Sequence, residues 1–114
     1  MTYHIETTGQ AKADRDHCYD YIAERSLDGA LRWLEAYETV VESVLENPHR
    51  GFAPENPDHE EEIRQRLFKT RHGLQYRLLF LVRGDTIYIL HVRGPGQDLM
   101  ARDELNRPED QSPA

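Results

Sequence analysis

The spacing of the apolar residues in this chain changes most clearly close to residue 47. Before that point, residues 27–45 carry apolar side chains at steps of three and four, which is the period of one face of an α-helix. After it, residues 63–93 carry them in short runs and alternations, which are typical of β-strands. A helix with one apolar stripe must bury that stripe against another layer. The pattern therefore predicts an α+β domain in which helices pack on one sheet.

The first 25 residues predict a strand and a helix. Apolar and polar side chains alternate over residues 3–7, which indicates a short N-terminal strand. A thin apolar stripe then predicts a helix over residues 10–25. Asp14 is among the residues of this helix that we expect to face water. The next helix follows so closely that the two form a hairpin.

The second helix has the stronger pattern. Ser26 or Asp28 can cap its start, and Asn47-Pro48 ends it because the residue before a proline is pushed out of the α region. Trp33 and Val40 lie beside its main stripe. We expect both to widen the core face, since large apolar residues are usually buried; exposure toward a partner is the alternative. The main stripe consists of Leu27, Ala30, Leu31, Leu34, Tyr37, Val41, Val44 and Leu45.

Three strands in an antiparallel meander follow a long loop over residues 47–62. They are predicted over residues 63–69, 75–82 and 86–93, with Arg83-Gly84-Asp85 as a tight turn between the last two. The second of these strands is almost wholly apolar, so we expect it to be central and covered on both faces.

The length of 114 residues suffices for one domain with one core. We expect a single domain over residues 1–107, with a short helix over 98–105 and a disordered tail over 108–114. No run reaches the roughly 20 apolar residues of a membrane span. The N-terminus lacks the pattern of a signal peptide, and Cys18 is the only cysteine, so a cytoplasmic protein without disulfides is expected.

Charge is distributed unevenly along the chain, whose formal net charge is −7. Residues 1–62 hold 5 Lys or Arg and 15 Asp or Glu, whereas residues 63–107 hold 9 and 4. The net acidity argues against unspecific binding to nucleic acid. The basic second half still leaves room for a local anionic partner, although charge blocks are often only solvated surface.

The sequence lacks several standard sites. It has no phosphate-binding glycine loop, no zinc signature and no Gly-x-Ser-x-Gly nucleophile motif, so no cofactor or metal is expected. The remaining candidates are basic residues on the predicted strands. Arg64 and Arg66 share one face of their strand by the period of two, and His91 and Arg93 share another. Arg77 interrupts an apolar strand.

These residue types suit binding to an anion. A guanidinium offers two parallel donors to a phosphate and keeps its charge, and arginines on adjacent strands could stabilise charge at an RNA phosphate. His91 could carry a proton, because imidazole titrates near neutral pH. Burying Arg77 is costly unless it is paired. It must therefore reach a carboxylate, as structural arginines often do, or open onto a binding surface.

Two segments carry a family resemblance. Tyr76-Arg77-Leu78-Leu79-Phe80 and Ile89-Leu90-His91-Val92-Arg93 resemble the third and fourth strands of the RelE/ParE toxin superfamily. The helical pattern Ala30-x-x-Trp33-Leu34, the Asn47-Pro48 stop and the Gly84-Asp85 turn occur in the matching order. The similarity covers about 100 residues and implies a RelE/ParE-like fold.

The resemblance implies a toxin of a type II toxin–antitoxin module, similar to ParE-like plasmid stabilisation proteins. A cognate antitoxin would wrap it with an extended or helical segment. RelE-like members cut messenger RNA in the ribosome with basic residues and a tyrosine, whereas ParE-like members poison DNA gyrase and lack most of that set. Arg77 matches the family arginine of the third strand. Arg64 and Arg66 fall where RelE-like members carry basic residues.

Three hypotheses follow. After Arg93 the chain lacks the further basic residue and the tyrosine of the nucleases, and its acidity departs from theirs. This favours a ParE-like toxin that performs no chemistry and binds its target through Arg77, Arg93 and Trp33. The second hypothesis is a ribosome-dependent endoribonuclease with Arg64, Arg66, Arg77 and His91 as catalytic residues. The third is a non-toxic relative that only binds an antitoxin.

Overall fold

The predicted order of a strand, a helical hairpin and a three-stranded meander is confirmed. A computed structural model describes residues 2–51, 53, 62–95 and 108. The predicted helix over 98–105 and all of the tail except Pro108 lie outside the described residues. The elements are β1 His4–Thr7, α1 Gly9–Ala23, α2 Leu27–Glu46, β2 Arg64–Phe68, β3 Tyr76–Arg83 and β4 Thr86–Arg93.

The four strands form one sheet in the order β1-β4-β3-β2. β2, β3 and β4 are antiparallel neighbours, as a meander with tight turns requires. β1 pairs in parallel with β4, because the chain between them includes the helical hairpin. β3 is therefore an inner strand, as its apolar sequence predicts.

Side-chain caps begin both helices. Thr8 accepts a hydrogen bond from the Ala11 N–H at the start of α1, and Ser26 accepts one from the Gly29 N–H at the start of α2. Of the two predicted caps of α2, Ser26 is therefore the one that is used. α2 ends at Glu46 and is followed by its C-terminal cap, Asn47, directly before Pro48. No helix of the described ranges is long and apolar enough to cross a membrane.

Apolar residues are buried on both faces of the sheet. The larger cluster lies between the sheet and the helices, where α2 packs against Phe68, Leu78 and Phe80. The smaller cluster lies on the opposite face and consists of Ala53, Ile63, Leu79, Leu81 and Leu90. Alternate residues of β3 therefore enter different clusters, which explains why its sequence is almost continuously apolar.

The buried face of α2 differs from the predicted stripe. Leu27, Leu31 and Leu45 were expected in the core, yet their exposed fractions are 60%, 51% and 39%. Trp33 and Val40 are buried, which confirms the expectation that they belong to the core. The residues that face the sheet are Ala30, Trp33, Tyr37, Val40 and Val44. These positions also recur at steps of three and four, so periodicity alone could not choose between the two stripes.

Candidate functional site

Arg77 and Arg93 lie side by side on the sheet. The antiparallel register places Arg77 of β3 opposite Arg93 of β4. Their chain neighbours Leu78 and Val92 belong to the cluster beneath the helices. Because successive side chains point to opposite faces of a sheet, both arginines lie on the face away from the helices. Of the three side chains that the sequence assigned to target binding, Arg77 and Arg93 are thus adjacent.

A glutamine orients Arg77. The Nη1 of Arg77 donates a hydrogen bond of 3.1 Å to Oε1 of Gln65, which lies on the adjacent strand β2. The amide oxygen satisfies one donor but supplies no negative charge. Arg77 and Arg93 are both half-buried, which limits the conformational freedom of their long side chains. Sequence reasoning missed Gln65, although its place one residue from Arg64 and Arg66 puts it on the face opposite to theirs.

Arg64 and Arg66 do share one face of β2, as predicted, and it is the face that meets α2. Arg64 donates to the main-chain carbonyl of His49 and, at 2.8 Å, to the carboxylate of Glu62. Its side chain is buried, so the ion pair is shielded from water on that side. The structure therefore separates Arg64 and Arg66 from Arg77 and Arg93 by the thickness of the sheet.

Arg66 binds the C-terminal end of α2. Its guanidinium donates to Ser43 Oγ at 3.1 Å, to the Asn47 carbonyl at 2.6 Å and to the Arg50 carbonyl at 3.3 Å. Carbonyl groups at the end of a helix have no partners within the helix, and they carry partial negative charge. Burial lowers the pKa of Arg66, and the positive charges of Arg50 and Arg64 add to this effect. Its contacts are those of a residue that caps a helix.

His91 is buried and pairs with α1. Its Nδ1 lies 3.4 Å from Oδ2 of Asp14, and the same oxygen accepts a 3.0 Å hydrogen bond from the Val92 N–H. Gln10 donates to the other carboxylate oxygen at 2.8 Å. Burial alone would raise the pKa of Asp14, but these hydrogen bonds outweigh it and hold the pKa below its ordinary value. The expectation that Asp14 faces water was wrong, because β4 occupies that side of α1.

Trp33 lies within an aromatic cluster of the core. Its ring stacks on Tyr37 with 5.8 Å between centroids, and Phe68 and Tyr76 lie at 5.7 and 5.5 Å. Only 2% of Trp33 is exposed. Direct contact with a target would require this cluster to open, so we leave Trp33 out of the surface formed by Arg77 and Arg93.

No group of three or more His, Cys, Asp or Glu side chains is placed to hold a metal ion within the described ranges. His91 and Asp14 form a pair that ties two elements together. The polar groups of the described sheet are thus of two kinds. Arg64 and Arg66 donate to acceptors of their own chain on the face that meets α2, whereas Arg77 and Arg93 lie side by side on the other face, where Arg77 donates to Gln65.

Comparison with known proteins finds a matching family and similar solved structures. The model of the family described as "ParE toxin of type II toxin-antitoxin system, parDE" matches residues 5–99. Among solved structures, "Chromosomal ParDE TA system from P. aeruginosa" aligns with a TM-score of 0.53 and 25% sequence identity, over 82% of this chain and 96% of that one. No curated protein matches the sequence.

Proposed function

We propose that this chain, which belongs to the ParE toxin family of type II toxin–antitoxin systems, acts in the cytoplasm by inhibiting DNA gyrase and is neutralised by a cognate antitoxin. The similar P. aeruginosa structure carries the ParDE name, and its fold covers most of this chain. The family relationship is the reason for proposing gyrase as the target and an antitoxin as the neutralising partner. The proposal assigns binding and not chemistry to the toxin.

Arg77 and Arg93 are adjacent on the sheet, and this adjacency is the observation on which the proposed target-binding surface rests. Two arginines lie opposite each other on neighbouring strands, on the face of the sheet away from the helices, in a protein whose net charge is −7. Arginine binds carboxylates and phosphates through parallel hydrogen bonds and does not lose its proton. A target that presents acidic side chains or DNA phosphates fits this pair.

The ribonuclease hypothesis receives less support from the same geometry. It needs Arg64 and Arg66 to meet RNA together with Arg77, yet they lie on the other face of the sheet and donate to residues of their own chain. His91, its proposed proton carrier, is 3% exposed. A general base must come within hydrogen-bonding distance of the proton that it removes.

The test is to induce the protein alone in a bacterial host and to follow incorporation of labelled precursors into DNA and protein together. We expect DNA synthesis to stop first. Arg77→Ala with Arg93→Ala should abolish that effect, while Arg25→Ala, which removes an exposed arginine at the end of α1, should retain it. If protein synthesis stops first, the ribonuclease hypothesis replaces this one. If neither stops, the chain is not a toxin in that host.

A further inference from the structure

Three residues form a row across the face of the sheet that lies away from the helices. The antiparallel registers place Leu67 of β2 opposite Arg77 of β3, and Arg77 opposite Arg93 of β4. Residues that oppose each other on neighbouring strands carry their side chains on the same face, with Cβ atoms roughly 5 Å apart. The Arg77–Arg93 pair therefore continues onto an apolar residue, and we refer to these three residues as the Leu67–Arg77–Arg93 row.

Leu67 is the exposed apolar member of this row. Of its surface, 49% is exposed, whereas its neighbour Phe68 points to the helices and is 7% exposed. Gln65 lies two residues before Leu67 and therefore on the same face of β2. It accepts the hydrogen bond that orients Arg77. An exposed leucine and a fixed guanidinium thus lie next to each other on one face of the sheet.

The combination of arginine and exposed leucine fits a partner that carries both acidic and apolar groups. Covering apolar surface with apolar groups gains about 25 cal/mol per Å². The same contact excludes water from the neighbouring guanidinium, and a charge pair is stronger where water is excluded. Arginine is accordingly enriched at the centres of protein–protein interfaces, where the surrounding contacts keep water out.

A DNA backbone fits the row less well. Its phosphates and sugars are hydrated and polar, so they would gain little by covering Leu67. Affinity for DNA comes largely from neutralising several phosphates at once, and the row supplies two guanidinium groups. The net charge of −7 also opposes the approach of a polyanion. The row therefore favours a segment of protein over nucleic acid.

We propose that the Leu67–Arg77–Arg93 row binds a protein segment of gyrase in which an acidic side chain is flanked by an apolar one. The inference rests on the proposed function, which supplies gyrase as the target, and it selects the gyrase protein rather than its DNA as the contact. The carboxylate accepts hydrogen bonds from Arg77 and Arg93. The apolar side chain covers Leu67, and Gln65 keeps the guanidinium of Arg77 in place.

Two substitutions of Leu67 distinguish a protein contact from a phosphate contact. The affinity of the full-length protein is measured by calorimetry for purified gyrase without DNA and for duplex DNA without gyrase. Leu67→Thr removes apolar surface but retains a residue type that strands favour, and it should weaken gyrase binding roughly fivefold. Leu67→Lys should weaken it at least as much, because it places a charge against an apolar side chain. If the row bound phosphates, this added cation would tighten binding instead.

Leu27→Thr is the matched control. Leu27 begins α2 and is 60% exposed, so the same substitution removes exposed apolar surface from the helical layer and should leave the affinity unchanged. Leu67 is half-exposed on an edge strand, so both of its variants should keep melting temperatures close to that of the wild type. If Leu67→Thr unfolds, Leu67→Lys decides the question, because edge strands commonly carry lysine.

The two proposals fail differently. If the wild type neither binds gyrase nor inhibits it, the gyrase part of the proposed function is wrong, and this inference is wrong with it. If the wild type binds gyrase and folded Leu67→Thr binds equally well, or Leu67→Lys binds more tightly, only this inference is overturned. Wild-type affinity for DNA alone that equals its affinity for gyrase would also overturn it and would assign the row to phosphates.

Discussion

Asp14 lies near the middle of α1, and its carboxylate accepts hydrogen bonds from the main chain of β4 and from Gln10. His91 of β4 lies beside it. One side chain thus connects the helical layer to the end of the sheet. Its two contacts with β4 join residues more than 70 positions apart in the sequence, which is why the helical pattern around Asp14 gave no sign of them.

The lowered pKa of Asp14 predicts a loss of stability in acid. A carboxyl whose pKa is lower in the folded than in the unfolded protein contributes its full stabilisation above the ordinary value of 3.8, and loses it as the pH falls through the folded value. Wild-type protein should therefore lose more stability between pH 5 and pH 3 than Asp14→Asn. Thermal melts across this range measure the difference. Asp16→Asn changes an exposed residue of α1 and serves as a control that should behave like the wild type. If the wild type loses no more stability in acid than Asp14→Asn does, the prediction is wrong.

Cys18 should react slowly with alkylating reagents. Burial raises the pKa of its thiol to about 11, and the negative charge of Asp14 adds to the effect. The thiolate is the reactive form, so a shift of about two pKa units reduces its amount roughly a hundredfold near pH 8. Iodoacetamide labelling followed by mass spectrometry should be much slower for folded than for urea-unfolded protein. Asp14→Asn should speed the folded reaction, and equal rates in both states would show that the thiol is not protected.

At the scale of elements, the loop after α2 is held to β2 from two directions. Arg66 donates to carbonyl groups at the end of α2, and Gly51 accepts from the Gln65 N–H on the strand edge. Sequence analysis found the end of α2 at Asn47-Pro48 but interpreted the arginines of β2 as candidates for RNA binding. Period-two alternation shows that two side chains share a face; it does not show which layer that face meets.

Arg66→Ala should destabilise the fold, whereas Arg77→Ala should not do so to the same degree. The first change leaves helix-end carbonyls and Ser43 without a charged donor, at a cost of about 2–3 kcal/mol. The second removes a half-buried side chain that donates a hydrogen bond to the amide oxygen of Gln65. Chemical denaturation of both variants gives the free energies of unfolding. A larger loss for Arg77→Ala would make that residue structural and would remove it from the target surface.

Gly51→Ala should cost more stability than Gly84→Ala. Both glycines have a positive φ, +88° and +61°, which a side chain disfavours. An added Cβ at Gly51 would lie 2.2 Å from the Gln65 carbonyl oxygen, whereas at Gly84 it would meet nothing within 4 Å. We expect a loss of about 1 kcal/mol at Gly84 from backbone strain, and at least about 2 kcal/mol at Gly51. Equal losses would mean that the loop can move away from β2.

The sequence predicted the positions of the helices and strands well. It was less informative about which face of each element is buried against the others. The change of period predicted the helices and the meander, because each signal lies within 20 residues. The core face of α2 was predicted correctly at Ala30, Tyr37 and Val44 and at Trp33 and Val40. Leu27, Leu31 and Leu45 were wrongly included, since they satisfy the same helical spacing. That choice depends on the aromatic side chains of β2 and β3, which only the assembled sheet brings to α2.

On the scale of the whole molecule, basic residues occupy distinct surfaces of an acidic protein. One is the Arg77–Arg93 pair on the face away from the helices, and the other is the groove between α2 and β2 that Arg32, Lys69 and Arg71 line. The sequence placed most of the basic residues in the second half of the chain. Only the register of the sheet shows which face each of these residues lies on.

The central claim, that this protein inhibits gyrase through Arg77 and Arg93, is tested most directly by gyrase-catalysed supercoiling of a relaxed plasmid. Purified wild-type protein should inhibit the reaction, and the Arg77→Ala, Arg93→Ala double variant should lose at least about tenfold in potency while retaining its melting temperature. Arg25→Ala should inhibit like the wild type. Uninhibited supercoiling at a large excess of folded wild-type protein would contradict the gyrase assignment. Equal inhibition by the wild type and the double variant would show that the target binds elsewhere.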